Sequence, residues 1–394
     1  MKDILILTNF CSDFSLTDND RFLYLAKKLN EEHQVEIVTS EFCHEKKTHR
    51  RKTVADWPFK ISFLQEPGYK RNVCLKRFLS HFLWGINVKK YLENRNRPDV
   101  IYCAIPSLTA AFFAARYCEK NNIRFIIDVQ DLWPEAFQMI INIPILSPLI
   151  FSPFTWIVNN IYKRADEVIA VSQTYVDRVM NVNKKPPKGI VVFLGTDIEK
   201  FDLNCQKKPD LEKEKFWLGY CGTLGSSYDL TSVFDALEII KNSEQEEPHL
   251  VIMGDGPLME RFQEYAEKKS LNCTFTGRLP YNDMCALLKM CDVAVNPIMH
   301  QAAQSIINKH ADYVSAGIPI ISTQENKEFR DLVDYYHMGI NCENGNAKQI
   351  SEAILFYMNN ETERTIAGIN ARRCAEERFD RRNTYNKIIE VICN

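Results

Sequence analysis

An α/β chain built from two parallel-sheet domains is predicted by three features of this sequence. Short β-rich runs alternate with segments of helical periodicity along most of its length, the pattern of a doubly wound parallel sheet. A charged, proline-containing run, Asn204 to Lys215, separates two such series, and 394 residues exceed one ordinary core. The stretch Asn308 to Thr323 reads as a helix stopped by Gly317, with Pro319 forbidding continuation and a buried strand following at once.

In the first series the expected strands are Asp3 to Leu7, Val35 to Thr39, Val100 to Cys103, Phe125 to Asp128, Val168 to Val171 and Ile190 to Phe193. Apolar residues at helical spacing mark helices at Arg21 to Leu29, Leu75 to Leu92 and Thr109 to Cys118. Ligands of such sheets bind beyond the carboxyl ends of the strands. The loops Asn9 to Asp20, Ala104 to Ser107, Gln130 to Glu135 and Ser172 to Thr174 are therefore expected to border one cleft. In the second series, Phe216 to Cys221, Leu250 to Met253, Cys273 to Thr276, Val293 to Asn296 and Ile318 to Ser322 are strands. Helices near Leu230 to Lys241, Leu258 to Lys268 and Asn282 to Met290 alternate with them.

Forty-nine basic against fifty-one acidic residues leave a net charge of -2, which argues against a nucleic-acid binder with a broad positive face. Thirteen cysteines with no C-x-x-C pair point to reduced thiols in a cytoplasmic protein rather than a disulfide framework. The start, MKDILILTNF, reads as a strand and not as an export signal. The uncharged run from Ala136 to Tyr162 is long enough to cross a bilayer, but Pro144, Pro148 and Pro153 interrupt it. A core loop followed by a helix is the expectation there.

Two glycine loops follow strands of the second series. Gly222-Thr223-Leu224-Gly225 lets backbone N–H groups approach an anion, and Gly254-Asp-Gly-Pro257 stands between a strand and a helix, where a plain turn is an equal reading. The Asn308 helix would aim its N-terminus, with Ser305 to Lys309, at the same crevice. Lys309 and Asp312, one turn apart, are expected on one face, a carboxylate behind an ammonium in a polyphosphate site. The histidines form no metal-ligand spacing, and no catalytic metal or other cofactor is expected.

Taken together, CGTLGSSYDL, VIMGDGP, FTGRLPYNDMCALLKMCDVAVNP and NKHADYVSAGIPIIS, preceded by DVQDLWPEAF and VVFLGTDIEKF, resemble the blocks of the GT-B glycosyltransferases of family four. Its capsule and O-antigen sugar transferases are the nearest in pattern. The resemblance implies two Rossmann-like domains facing across a cleft. Residues 1–203, rejoined by a C-terminal helix at 380–394, would bind the acceptor, and residues 204–379 a nucleotide-sugar. It implies a retaining hexosyl- or N-acetylhexosaminyl-transferase in polysaccharide biosynthesis, with the nucleoside-diphosphate sugar as donor substrate and no metal. The acceptor would be a polyprenyl-linked or other saccharide at the inner face of the membrane.

Carried onto these positions, the resemblance places Asp312 at the second glutamate of the family's Glu-x7-Glu motif, facing the donor ribose, and Gln304 at the first, near the donor sugar. Thr223 and Tyr228 stand where common members have arginine and lysine. Lys309 is left to neutralise the leaving diphosphate, helped by the N–H groups of Leu224 and Gly225 and the helix end at Ser305. Arg278 would line the nucleobase pocket or lie on the surface. Asp131 would either meet sugar hydroxyls beside Trp133 or cap the next helix. Gln130 replaces a common histidine, and Asp13 lies in a loop that lacks the usual glycine pair. Acceptor contacts are thus assigned to Asp13, Gln130 and Trp133, and catalytic roles to Lys309, Asp131 and Gln304. Two rival functions are a nucleotide-sugar 2-epimerase of the same design and a non-catalytic nucleotide-sugar-binding scaffold.

The segment Tyr69 to Leu92 adds an amphipathic helix, with Leu75, Phe78, Leu79, Phe82, Leu83 and Ile86 on one stripe. Lys70, Arg71, Lys76 and Arg77 cluster at its start and Trp84 is placed to settle at an interface. A peripheral contact with anionic lipid is the functional reading, and a core-facing stripe the structural one.

Overall fold

The computed structural model describes residues 1–12, 14, 20–50, 56–71, 74–136, 146–185, 188–207, 209, 211–213, 215–243, 245–300, 302 and 306–394. They form two compact units, one of Met1–Phe193 with Tyr385–Asn394 and the other of Leu194–Thr384.

The first unit holds nine strands: β1 (Asp3–Leu7), β2 (Gln34–Ser40), β3 (Phe42–Cys43), β4 (Thr48–His49), β5 (Lys60–Leu64), β6 (Val100–Ile105), β7 (Arg124–Val129), β8 (Glu167–Ala170) and β9 (Ile190–Val191). Seven make one parallel sheet in the order β5-β2-β1-β6-β7-β8-β9, while β3 and β4 pair as a small antiparallel hairpin. Strands β1, β6 and β7 are nearly fully buried, as a sheet covered on both faces requires. The helix Arg21–Leu29 starts where Asp20 accepts hydrogen bonds from the N–H groups of Phe22 and Leu23.

One buried ion pair fastens the chain's return to this unit. Arg21 Nε and Nη2 donate to the two oxygens of Asp128 at 2.9 and 3.0 Å, while Nη1 donates to the Phe193 carbonyl and the Tyr385 hydroxyl, each at 3.1 Å. Tyr385, Ile388 and Ile392 then enter the core beside Ile4, Phe22 and Leu25. The C-terminal segment expected as one helix is divided into Arg381–Thr384 and Asn386–Cys393.

The second unit has six parallel strands: β10 (Trp217–Cys221), β11 (His249–Met253), β12 (Cys273–Gly277), β13 (Val293–Asn296), β14 (Ile320–Ser322) and β15 (Gly339–Asn341), in the order β12-β11-β10-β13-β14-β15. The order reverses at β10, so the loops after β10, β11 and β13 meet at the switch point where such sheets take ligands. Helix Asn308–Ala316 ends at Gly317 with φ 67°. Its Tyr313 hydroxyl receives the Cys221 N–H at 3.1 Å and donates to the Val295 carbonyl at 3.2 Å, fixing the helix over the ends of β10 and β13.

Helix Ile198–Asn204, which the sequence reading gave to the first domain, packs in the second unit. There Gly195 (φ 58°) and Thr196 bond to Phe379 and Arg381, so the two ends of the unit lie side by side. Strands β5 and β15 had no clear sequence signal. β5 is a partly buried edge, and β15 has three residues starting at Gly339, where a Cβ would fall 2.0 Å from the Ile320 carbonyl. The helix in the uncharged run spans Leu146–Arg164 and contains Pro153. Among the described residues no helix is long and apolar enough to cross a membrane, and all thirteen cysteines are free.

Candidate active site

In the second unit the two glycine loops are joined along their backbones. Gly222 N–H donates to Met253 O at 3.0 Å, Leu224 N–H to Asp255 O at 2.9 Å and Leu258 N–H to Leu224 O at 3.0 Å. Contact this close excludes side chains: a Cβ on Gly254 would lie 1.8 Å from Gly222 O, and one on Gly256 2.3 Å from Leu224 O. Leu224 is fully buried and anchors the loop in the core, while the Tyr220 hydroxyl donates to Thr223 O at 2.9 Å. The Leu224 N–H, expected to face the diphosphate, is therefore occupied. Among the described residues the N–H groups of Thr223 and Gly225 have no partner, and they are the donors the loop offers.

Lys309 reaches this loop from the helix. Its side chain is not solvated. The residue is only 6% exposed, with Nζ 3.7 Å from the Tyr228 ring centroid and 4.4 Å from that of Tyr220, and a Cβ on Gly222 would lie 3.6 Å from it. Nζ makes no hydrogen bond among the described residues. Burial pushes the ammonium down to about 7, opposed only by the Cys221 thiol. Two aromatic faces hold a cation without neutralising it, which leaves its donors for a ligand. Tyr228, standing where the family pattern has a basic residue, thus serves as a platform for a lysine from elsewhere in the chain.

Asp312 does not stand behind Lys309 as expected. Its Oδ1 accepts from the Tyr281 hydroxyl at 2.8 Å, and Tyr281 in turn meets Thr196 Oγ1 at 3.1 Å. One turn of helix separates the two charged groups, but Lys309 leans towards β10 and its loop while Asp312 leans towards helix Tyr281–Met290. Both charges act on the Cys221 thiol and neither acts on the other. Burial raises the Asp312 carboxyl to about 6, the Tyr281 hydrogen bond holding it lower than burial alone would.

The helix start is partly satisfied from within, because His310 Nδ1 accepts the Ile307 N–H at 3.3 Å. His310 is itself buried, stacked 3.7 Å from the Phe329 ring, and neutral, since burial and Lys309 both lower its pKa. Gln304 and Ser305 lie outside the described residues, as does Asp13. Arg278 is exposed just beyond β12.

In the first unit, Gln130 Nε2 donates to Asp128 Oδ2 at 2.9 Å, so this amide braces the buried Arg21 pair. Asp131 accepts from Leu132 N–H at 2.9 Å and Trp133 Nε1 at 3.0 Å, which orders its own loop. Burial raises its pKa. Trp133 stacks on His81, and Phe10, His44, Tyr69 and Arg77 complete the cluster. Sequence reasoning missed His44, His81 and Tyr69, which are separated by up to 37 positions and share no motif; only the fold assembles them.

Two parallel-sheet units in one chain, the second with paired glycine loops where its strand order reverses, have the architecture of the GT-B class of glycosyltransferase. Residues 203–374 match the family model described as glycosyl transferases group 1, and residues 21–200 match glycosyltransferase family 4. The chain belongs to the GT-B glycosyltransferases of the family 4 type. An uncharacterized glycosyltransferase of Methanocaldococcus jannaschii is 24% identical over 242 residues, 59% of this chain and 60% of that protein. The match thus spans less than two thirds of that relative. HepE of Anabaena, solved in complex with UDP, is 16% identical with a TM-score of 0.68, covering 100% of both chains. Sucrose-phosphate synthase of Thermosynechococcus elongatus is 12% identical with a TM-score of 0.71, covering 99% of this chain and 98% of that one. At these identities the two structures establish the fold alone.

The Lys309 and Asp312 environments predict a bell-shaped pH dependence of nucleotide-sugar binding. Ionised Asp312 is the form that accepts a hydroxyl, so affinity rises as pH passes about 6. Protonated Lys309 is the form that meets a diphosphate, so affinity falls as pH passes about 7, a limb that the bound anion itself moves upward. A nucleotide-sugar is the correct probe, because its esterified phosphates do not titrate here. Calorimetry from pH 5 to 9 measures the profile, and Asp312→Asn should remove the acidic limb alone. A flat profile would take both groups out of the site.

Proposed function

We propose that the protein is a retaining glycosyltransferase that moves a hexosyl or N-acetylhexosaminyl group from a nucleoside-diphosphate sugar to a lipid-linked or saccharide acceptor in capsule, O-antigen or exopolysaccharide synthesis. The observation that carries the donor assignment is the Lys309 ammonium, buried between Tyr220 and Tyr228 beside a glycine loop with open N–H groups. The UDP bound to HepE supports the nucleotide class. In this reading Lys309 and the N–H groups of Thr223 and Gly225 stabilise negative charge as the diphosphate departs, a contribution made mainly in the transition state. Asp312 accepts a ribose hydroxyl. The departing phosphate takes the acceptor proton, so no strong protein base is needed, and positive charge comes from Lys309 rather than from a metal. Thermal stabilisation by a panel of UDP-, GDP-, ADP- and TDP-sugars identifies the donor. Transfer from the stabilising donor to polyprenyl-diphosphate saccharides, with the product's anomeric configuration read by NMR, then tests the reaction. A C2-epimerised nucleotide-sugar would favour the epimerase, and binding without turnover the scaffold.

The same reading places the acceptor at a membrane surface. Helix Leu75–Asn94 turns Ser80, His81, Trp84, Val88 and Leu92 inward, so Trp84 is a core residue and not an interfacial one. Arg77 is likewise packed among rings. The outer stripe remains open: Leu75 is 87% exposed and Phe82 49%. The Phe78–Phe154 contact at 5.6 Å extends this stripe onto helix Leu146–Arg164, where Trp156 is 60% exposed. Exposed Lys70, Arg71 and Lys76 flank it, each contributing about 1 kcal/mol near anionic lipid. Liposome co-sedimentation should show binding that needs anionic lipid and is lost in a Leu75, Leu79, Trp156 triple serine variant. Equal sedimentation of the variant would refute docking through this face and leave the transferase assignment standing.

A further inference from the structure

The second sheet ends at β15, which pairs with β14 and with no further strand. In that ladder the Ile320 N–H donates to the Met338 carbonyl at 3.1 Å and the Cys342 N–H to the Ser322 carbonyl at 2.8 Å. A parallel pair bonds through alternate residues, so the even-numbered positions face β14 while the N–H and C=O groups of Gly339 and Asn341 face away from it. Among the described residues these outward groups have no hydrogen-bond partner.

A cleft of about 430 Å³ lies along this edge. Gly339 and Ile340 line it from the strand, Asp334 from helix Lys327–Tyr336, Phe356 from helix Ala347–Asn359, and Glu363 and Ile366 from helix Glu361–Cys374. Phe356 is 42% and Ile366 47% exposed, and Ile369, one turn further on, 65%. Single exposed apolar residues are ordinary, but these gather at one cleft beside open main-chain groups.

The charge of the cleft has one sign. Asp334 and Glu363 are exposed, and among the described residues neither has a lysine or arginine within ion-pair distance. The lining holds no lysine or arginine, and His337 is its one basic side chain. The cations of the helix that carries Asp334 are engaged elsewhere: Lys327 pairs with Asp331, and Arg330 donates to the Gln324 and Cys342 carbonyls. Arg364, next to Glu363, donates to the Tyr357 carbonyl. Asn341 Nδ2 donates to Asp334 Oδ1 at 2.8 Å, which holds that carboxylate beside the strand.

We propose that this edge is a docking site for a partner protein, which adds an extended segment to β15 with one large apolar side chain in the cleft and basic residues on either side of it. Main-chain bonds to Gly339 and Asn341 set the register. Successive residues of a strand point to opposite faces, so basic residues two positions before and after the apolar one lie on the same side as it, towards the acidic rim. A second copy of this chain is disfavoured as the occupant. Antiparallel pairing of β15 with its symmetry mate would bring Asp334 and Glu363 of both copies together, and like charges oppose that contact. The same rim keeps neutral and acidic strands from pairing with the edge at random.

The test titrates the full-length protein with the peptide acetyl-Thr-Lys-Thr-Phe-Thr-Lys-Thr-amide and reads the backbone amide NMR signals of Gly339 and Asn341. Both signals should move with saturation. The same peptide with glutamate in place of lysine should bind about tenfold more weakly at low salt. N-methylation at alternate residues should weaken binding about tenfold in one register and little in the other, because a strand pairs through every second N–H. Asp334→Asn combined with Glu363→Gln should remove the preference for lysine, with the asparagine oxygen still available to Asn341, and Ile366→Ser should weaken both peptides. Nucleotide-sugar stabilisation of these variants should be unchanged, which separates failure here from failure of the donor site. No shift at millimolar peptide, equal binding of the acidic peptide, or equal effects of the two methylation registers would overturn the proposal. Dimerisation of the protein that is lost in Ile366→Ser would overturn it in favour of a second copy.

Discussion

Replacing Lys309 by methionine should make the protein more stable and the enzyme much less active. In the folded chain burial pushes the Lys309 ammonium down to about 7, so the protonated form is held at a cost. An isosteric apolar side chain removes that cost, and a gain of about 2 to 4 kcal/mol is expected. The pH dependence has a definite sign. Lys309 is depressed in the folded state, so between about 7 and its ordinary 10.5 the unfolded chain binds a proton that the folded chain has released. Wild-type stability therefore rises with pH across that window, and the advantage of Lys309→Met is greatest at and below pH 7 and shrinks above it. Turnover should fall tenfold to a thousandfold, the range for one charge-assisted transition-state contact. Chemical denaturation at pH 6, 8 and 10 together with transfer rates checks both halves. A variant that loses stability and keeps its rate would make Lys309 a structural residue.

Gly254→Ala should disrupt the second unit through its backbone. The added methyl would fall 1.8 Å from Gly222 O, and nothing flexible is there to yield. The two loops must separate, stretching the Gly222–Met253 and Leu224–Asp255 bonds on either side. A loss of about 2 to 4 kcal/mol in stability and at least a tenfold loss in nucleotide-sugar affinity are expected. Gly225→Ala is the control, since its Cβ would meet only Thr223 Cγ2 at 3.7 Å; stability there should change by less than about 0.5 kcal/mol. Equal effects of the two substitutions would show that loop flexibility matters and not the close approach.

Legibility differed by element for physical reasons. Helix Leu230–Lys241 and strand β13 were readable to the residue, because burial imposes periodicity and Asp229 caps the helix. The stop at Gly317 was readable because few residues other than glycine adopt φ 67° there. Strand β15 was not, since three residues at a sheet edge cannot show a period. Helix Ile198–Asn204 carried a clear Asp197 cap but no mark of which unit it would join.

Local chemistry by itself determined the two alternating series, the glycine loops, the helix that carries Lys309 and Asp312, and the membership these blocks imply. Such features depend on neighbours within a turn or two, and backbone geometry writes them directly into residue type. The tertiary structure decided where the side chains of that helix point: Lys309 between two tyrosines from another strand and loop, Asp312 onto Tyr281. It also tied the Leu224 N–H to the Asp255 carbonyl, moved Trp84 and Arg77 inward and assembled His44, Tyr69 and His81. Those outcomes depend on contacts between distant segments, where burial and charge act through space and no spacing along the chain records them.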